Sequence, residues 1–183
     1  MAVPNISIHN RMPIVFTSVD KIDQPERYLD TCVRLLEGYS WCFGFGTALG
    51  IYRDGGFIPR DTDIDVCVYD ADALALRKIF ENEFELIRKV SVDGVFHQLA
   101  FQASDLMIVD LCFFYTDGDD YVSHCEGGHW RDGSDVIGIP RMVDTRFGSY
   151  PVPEKIEDYL VSRYGDWQTP KYGMQCCSRK EES

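Results

Sequence analysis

Asp61-Thr62-Asp63-Ile64-Asp65-Val66 places three carboxylates at alternate positions, with Ile64 between the last two. On an extended strand, residues two apart share a face and lie about 6–7 Å apart. Asp63 and Asp65 therefore project together, while Ile64 and Val66 turn into a core. Two carboxylates that close repel each other unless one is protonated or a cation sits between them. Mg²⁺ or Mn²⁺ suits the pair: hard cations take oxygen ligands and keep positions open for phosphate oxygens. Two such ions can activate an attacking hydroxyl and stabilise the leaving oxygen of an in-line displacement.

Asp110 stands alone inside Met107-Ile108-Val109-Asp110-Leu111-Cys112-Phe113-Phe114, a run that is otherwise apolar. A carboxylate in a buried strand is costly unless it is paired or metal-bound. If this strand lies beside the Asp63 strand, three carboxylates converge, and Asp110 becomes a further metal ligand and a candidate general base. Two bland readings stand beside this one. The acidic run is a solvated loop, or Asp110 is a strand-edge residue facing water. A calcium loop beginning at Asp61 fits poorly, because Val66 occupies the position that needs glycine.

The elements that must position these residues follow from pattern. Asp23-Gln24-Pro25-Glu26 has an acidic cap, proline in the first turn and a glutamate after it, which predicts a helix start. Tyr28, Cys32, Leu35 and Leu36 then recur at helical spacing up to Gly38. Residues 41–45 read as a short strand that ends in a tight turn, Gly46-Thr47-Ala48-Leu49-Gly50, leading into a short helix. A polar loop is expected over 53–60 and a strand over 63–69. Asp70 is expected to cap a helix over 71–84. Strands follow over 86–92, 95–101 and 106–115, then a loop over 116–135 and a last helix over 153–163. Helices interleaved with three to five strands predict one α/β or α+β domain over 1–170, a mixed central sheet flanked by helices, with a flexible polar tail over 171–183.

Composition narrows the function class. The chain has 183 residues, with 18 Lys plus Arg against 30 Asp plus Glu, a formal charge of -12. Such a surface repels a phosphate backbone, which argues against nucleic-acid binding. No apolar run nears the ~18 residues of a membrane span, and the N-terminus carries no signal-peptide pattern. Seven cysteines, four of them in apolar runs, suit a reducing compartment better than a disulfide framework. The expectation is a soluble cytoplasmic protein.

Phe45-Gly46-Thr47, Asp63-Ile64-Asp65 and Val109-Asp110-Leu111 together resemble the three-part signature of the nucleotidyltransferase superfamily. More narrowly, Gly46-Thr47-Ala48-Leu49-Gly50, Arg53, Gly56-Phe57-Ile58-Pro59 and the Asp61–Asp65 run resemble the LicD family. That family includes bacterial phosphocholine transferases and, more distantly, fukutin-type ribitol-phosphate transferases. Tyr164-Gly165-Asp166-Trp167 with Pro170 is similar to its closing motif, so the resemblance covers residues 39–170. It implies a nucleotidyltransferase fold, and transfer of a phospho-alcohol from a CDP-linked donor to a hydroxyl acceptor with release of CMP. It also implies that Asp63 and Asp65 bind metal, that Asp110 completes the site, and that Gly46, Thr47 and Arg53 meet donor phosphates. Arg60 departs from the family's usual aromatic and Thr62 from one of its acids; with Asp61 and Arg60, these positions border the substrate.

Weaker candidates remain. His124, Cys125, His129 and Trp130 share a glycine-containing loop, but zinc wants four nitrogen or sulfur ligands and no fourth is near in sequence. Loop polarity explains them, with a substrate contact by His129 or Trp130 as the alternative. His97 either faces the acidic site or is a satisfied sheet histidine. Tyr164 and Trp167 read as packing residues, Asp166 as structural, and Cys176-Cys177 has no metal spacing. Two further functions stay open on the same carboxylates: transfer of NMP from an NTP with release of pyrophosphate, and an inactive nucleotide-binding domain.

Overall fold

The alternation in residues 63–69 forms strand β3 (Asp63–Tyr69), with Ile64, Val66 and Val68 fully buried. The apolar run around Asp110 forms β6 (Met107–Asp117), which lies beside β3 and parallel to it. This is a computed structural model, and it describes residues 5–10, 25–104, 106–125 and 128–170. The expected cap at Asp23-Gln24, the tail and Cys176-Cys177 lie outside the described residues.

Around that central pair the sheet runs in the order β1 (Ile6–Asn10), β4 (Glu85–Val92), β5 (Val95–Ser104), β6, β3, β2 (Trp41–Phe43). β7 (Asp120–Cys125) extends it from the far end of β6, and β8 (Gly128–Gly133) pairs with β7. Among the described residues β3–β6 is the one parallel pairing; every other pairing is antiparallel. Of the two classes left open by the sequence, the chain forms α+β. A parallel pair needs a long crossover, and here it is made by helix α3 (Ala73–Phe80) and the β4–β5 hairpin.

One sheet face is apolar. Val109, Leu111, Phe113, Leu99 and Phe101 are fully buried there, and Phe80 of α3 packs against Phe101 with ring centroids 5.4 Å apart. Tyr28 of helix α1 (Glu26–Leu35) packs against Phe84, in the turn that follows α3. The other face carries the carboxylates and is covered by helix α2 (Phe45–Leu49) and α5 (Ile156–Tyr164). A single buried cluster joins Tyr28 of α1 to Trp167 after α5, so the described residues form one domain. No helix among the described residues is long and apolar enough to cross a membrane.

Several expected boundaries move. Gly46 and Thr47 lie inside α2, and the helix continues as a π-helical turn over Gly50–Asp54 before Gly55 ends it at φ 68°. Asp72, not Asp70, caps α3, accepting from the N–H groups of Leu74 and Ala75. Asp70 instead accepts from the amide and hydroxyl of Thr116. The expected loop over 116–135 is mostly the β7–β8 hairpin followed by the short α4 (Ser134–Ile137). Its inward positions include Ser123 and Asp132, which are buried but polar, so no apolar alternation marked the strands. A second hairpin, β9 (Arg141–Asp144) and β10 (Ser149–Val152), packs Tyr150 edge-on against Phe43.

Candidate metal centre

Asp65 and Asp110 are direct register partners on β3 and β6, and Asp63 is paired two residues earlier with Ile108. Asp63, Asp65 and Asp110 each offer a carboxylate oxygen, and the three oxygens lie within 4.8 Å of one another. Such a set of hard oxygens at that spacing fits a small divalent cation. Without one, the carboxylates raise each other's proton affinity. Burial, then Asp63 and Asp110, holds Asp65 well above the ordinary carboxylate range. Burial pushes Asp110 up to about 6, against the opposing pull of Arg88. Asp61 belongs to the same group: burial and a side-chain hydrogen bond with Asp63 push it up to about 8.

The first turn of α2 holds Asp65 from three sides. The Gly44 N–H donates to its carbonyl at 3.0 Å, the Gly46 N–H to Oδ2 at 3.2 Å, and its own N–H donates to Thr47 Oγ1 at 2.9 Å. Gly44 lets β2 and α2 come this close, because a Cβ there would run into Cys67 Sγ. A Cβ on Gly46 would stand 3.1 Å from Asp61 Oδ2 and 3.8 Å from Asp65 Oδ2. Phe45, between them, has φ 42°, a strained value for a non-glycine residue, and its N–H donates to the Tyr159 hydroxyl at 3.0 Å. Backbone and two glycines bring helix and acidic strand into contact.

Neutral and basic groups complete the surroundings. Cys42, Cys67 and Cys112 form a row across β2, β3 and β6, two residues beyond the Asp65–Asp110 pair. They are free thiols. Burial, then the Cys42 thiol, holds Cys67 well above the usual thiol range, and a hydrogen bond with Cys125, then burial, does the same to Cys112, so they add no negative charge. Arg88 Nη2 lies 3.2 Å from both oxygens of Asp110, and Gln98 bonds the same carboxylate. Neither residue is suggested by sequence. Arg88 reaches this face through a β-bulge: Leu86 pairs with Phe101 but Arg88 pairs with Ala100, so Ile87 is the extra residue. Without the bulge Arg88 would fall on the opposite, apolar face.

The family described as LicD/FKTN/FKRP, nucleotidyltransferase domain, matches residues 38–136, more than half of the chain, and the match includes all three carboxylates. The chain belongs to this family. No curated protein matches it. Among solved structures, the lincomycin-bound lincosamide antibiotic adenylyltransferase LnuA is similar at 14% identity and a TM-score of 0.49, over 76% of this chain and 85% of that one.

Other residues carried over from the LicD resemblance fare differently. Arg53 is committed within the protein: Nε and Nη2 bind Asp54 at 2.8 and 2.7 Å, and Nη1 reaches the Trp167 carbonyl at 3.2 Å. It ties the π-helical turn to the closing motif, where Trp167 packs on Tyr52, and does not point a free fork at phosphate. Thr47 is buried with its hydroxyl on the Asp65 amide. The amides of Phe45 and Gly46 are likewise taken by Tyr159 and Asp65, so the start of α2 orients the Asp65 carboxylate instead of presenting these two donors outward.

Trp130 is buried, edge-on to Phe45 at 5.1 Å and stacked by the Arg163 guanidinium at 4.7 Å; it supports Phe45 and is no open substrate contact. His97 turns toward the β7–β8 hairpin, where its Nδ1 accepts from the His124 N–H at 3.2 Å. The β4–β5 register skips it, which frees its side chain from the strand's alternation. His129 stacks on His124 at 4.4 Å, so the histidines group with each other and not with the carboxylates. Burial, then His124 and His129, lowers His97 to about 4, leaving it neutral near pH 7. Arg60 is exposed with φ 72°, in the turn just before Asp61.

Proposed function

We propose that this LicD-family chain is a Mg²⁺- or Mn²⁺-dependent transferase of the nucleotidyltransferase fold, moving a phosphorus-containing group from a nucleotide-type donor to a hydroxyl acceptor. The observation that carries the reading is the meeting of Asp63, Asp65 and Asp110 from two parallel neighbouring strands, with ligand oxygens within 4.8 Å. When bound there, a divalent cation would polarise phosphate oxygens and offset the charge that develops on them.

The chain's own residues have separable tasks. Asp63 and Asp65 hold the cation, Asp65 in an orientation fixed by Gly46 and Thr47. Asp110 serves as third ligand or takes the acceptor's proton on a carboxylate oxygen. With a proton affinity raised to about 6, it stays largely ionised near pH 7 while being a stronger base than an ordinary aspartate. Asp61, in the same group, lies nearest the space that a Gly46 side chain would fill.

Within the class, the LicD resemblance favours a CDP-alcohol donor, with a phosphocholine-like or polyol phosphate group transferred. A screen of CDP-alcohols and NTPs by thermal shift, with and without Mg²⁺, followed by product analysis, tests this. Release of CMP supports the phospho-alcohol reading, and release of pyrophosphate supports NMP transfer. Nucleotide binding without turnover of any donor would mark an inactive nucleotide-binding domain.

A further inference from the structure

Phe45 stands between Gly44 and Gly46, whose amides hold Asp65, and it keeps φ 42°. A non-glycine residue stays in that region only where its surroundings over-determine it. Here the surroundings come from two segments far along the chain. Trp130 of β8 meets the Phe45 ring edge-on at 5.1 Å, and the Arg163 guanidinium of α5 lies 5.2 Å from its centroid. Tyr159, one turn before Arg163 on the same face of α5, accepts from the Phe45 amide.

Arg163 is the centre of this group. Besides Phe45, its guanidinium lies 4.7 Å from the centroids of both Trp130 and Tyr159. Nη2 donates to both oxygens of Asp132 at 2.6 Å, and the two side chains are 5% and 3% exposed. Trp130 and Asp132 are two apart on β8, so one face of that strand supplies both a ring and the counter-charge. A buried ion pair is weak evidence for stability, because apolar side chains of similar volume often fill a core as well or better. What such side chains lack is direction. A carboxylate gripped at both oxygens sets the guanidinium in place, and a guanidinium in place sets where the rings around it lie.

We propose that Arg163 is a positioning residue of the metal centre: clamped by Asp132, it fixes the Phe45 ring and thereby the turn whose Gly46 amide and Thr47 hydroxyl orient Asp65. This rests on the transferase reading above through its metal centre. The β7–β8 hairpin and α5 thus shape the cation site without supplying a ligand to it.

Mn²⁺ titration of the full chain, followed by electron paramagnetic resonance, tests it on the parent and on a variant combining Asp132→Asn with Arg163→Met, which leaves neither charge buried alone. The variant is expected to melt cooperatively, to bind Mn²⁺ about tenfold more weakly, as when an outer partner of a metal ligand is lost, and to change the spectrum of the bound ion. Unchanged affinity and spectrum would overturn the assignment. So would a weaker apparent affinity that only follows the unfolded fraction, with the parent's spectrum retained. If the double variant does not fold, Arg163→Lys is read in its place. It keeps a charge for Asp132 but loses the plane that orders the rings, and about threefold weaker Mn²⁺ binding is expected; an affinity equal to the parent's refutes the role. A parent that binds no Mn²⁺ refutes the metal centre and this role with it, whereas a parent that binds Mn²⁺ no better than its variants refutes the role of Arg163 alone.

Discussion

Asp65 and Asp110 face each other directly across the parallel β3–β6 pair, the one pairing of that kind among the described residues. In a parallel ladder, register partners on one face are close neighbours, so two carboxylates in that relation repel at short range. The arrangement stores electrostatic repulsion that protonation or a cation relieves. Three consequences concern this repulsion and its supports.

Replacing Asp65 by Asn removes one charge from the cluster without changing side-chain size. The metal-free protein is expected to become more stable at pH 8, seen as a higher melting temperature, while Mg²⁺-dependent turnover falls by more than about 100-fold. A variant less stable than the parent at that pH would show that repulsion is not what dominates there.

The pH dependence has a definite sign. Asp61 and Asp110 have folded-state proton affinities raised from 3.8 to about 8 and about 6, and Asp65 is raised too. Between about pH 4 and pH 8 these three carboxylates therefore bind more protons in the folded chain than in the unfolded one, against the opposite contribution of the single His97, lowered to about 4, and stability falls as pH rises. The contribution is fully present below about pH 4 and lost as pH passes through about 8. Chemical denaturation of the metal-free protein at pH 5 and pH 8 reads it, and saturating Mg²⁺ should flatten the difference. A stability that rises over that range contradicts the buried, mutually repelling carboxylates.

Tyr159 supports the strained Phe45 at the entry to α2. Its replacement by Phe leaves a buried amide without its acceptor, at a cost of about 1–3 kcal/mol. Denaturant unfolding should show that loss. Mn²⁺ affinity should fall as well, because the Gly46 and Thr47 contacts to Asp65 depend on the same turn. Loss of stability with untouched Mn²⁺ affinity would separate the turn from the metal centre.

Arg53→Met distinguishes a clamp from a phosphate ligand. Because Arg53 is bound to Asp54 and the Trp167 carbonyl, the substitution should lower stability by about 1 kcal/mol and leave CDP affinity within about twofold. A selective loss of CDP affinity would restore the phosphate role suggested by its position in the motif.

The convergence of the three carboxylates was legible in the sequence because its determinants are local or periodic. Alternation fixed the shared face of Asp63 and Asp65, and a lone carboxylate in an apolar strand singled out Asp110. The parallel contact between their strands was the one spatial condition needed, and it holds. What escaped is long-range or irregular. Arg88 enters only through a bulge at Ile87, which no alternation announces. The β7–β8 strands hide because Asp132, a buried ion-pair partner of Arg163, stands where an apolar residue would signal a strand. Arg53 and Thr47 sit at motif positions, but hydrogen-bond partners far along the chain, Trp167 and Asp65, decide what they do.

The most direct test is a Mn²⁺ titration followed by electron paramagnetic resonance on the parent and on Asp63→Asn, Asp65→Asn and Asp110→Asn. Tight binding in the parent, lost or weakened by about tenfold or more in each variant, is the predicted result. Equal Mn²⁺ binding in the parent and all three variants would contradict a shared cation between these strands, and the catalytic reading with it.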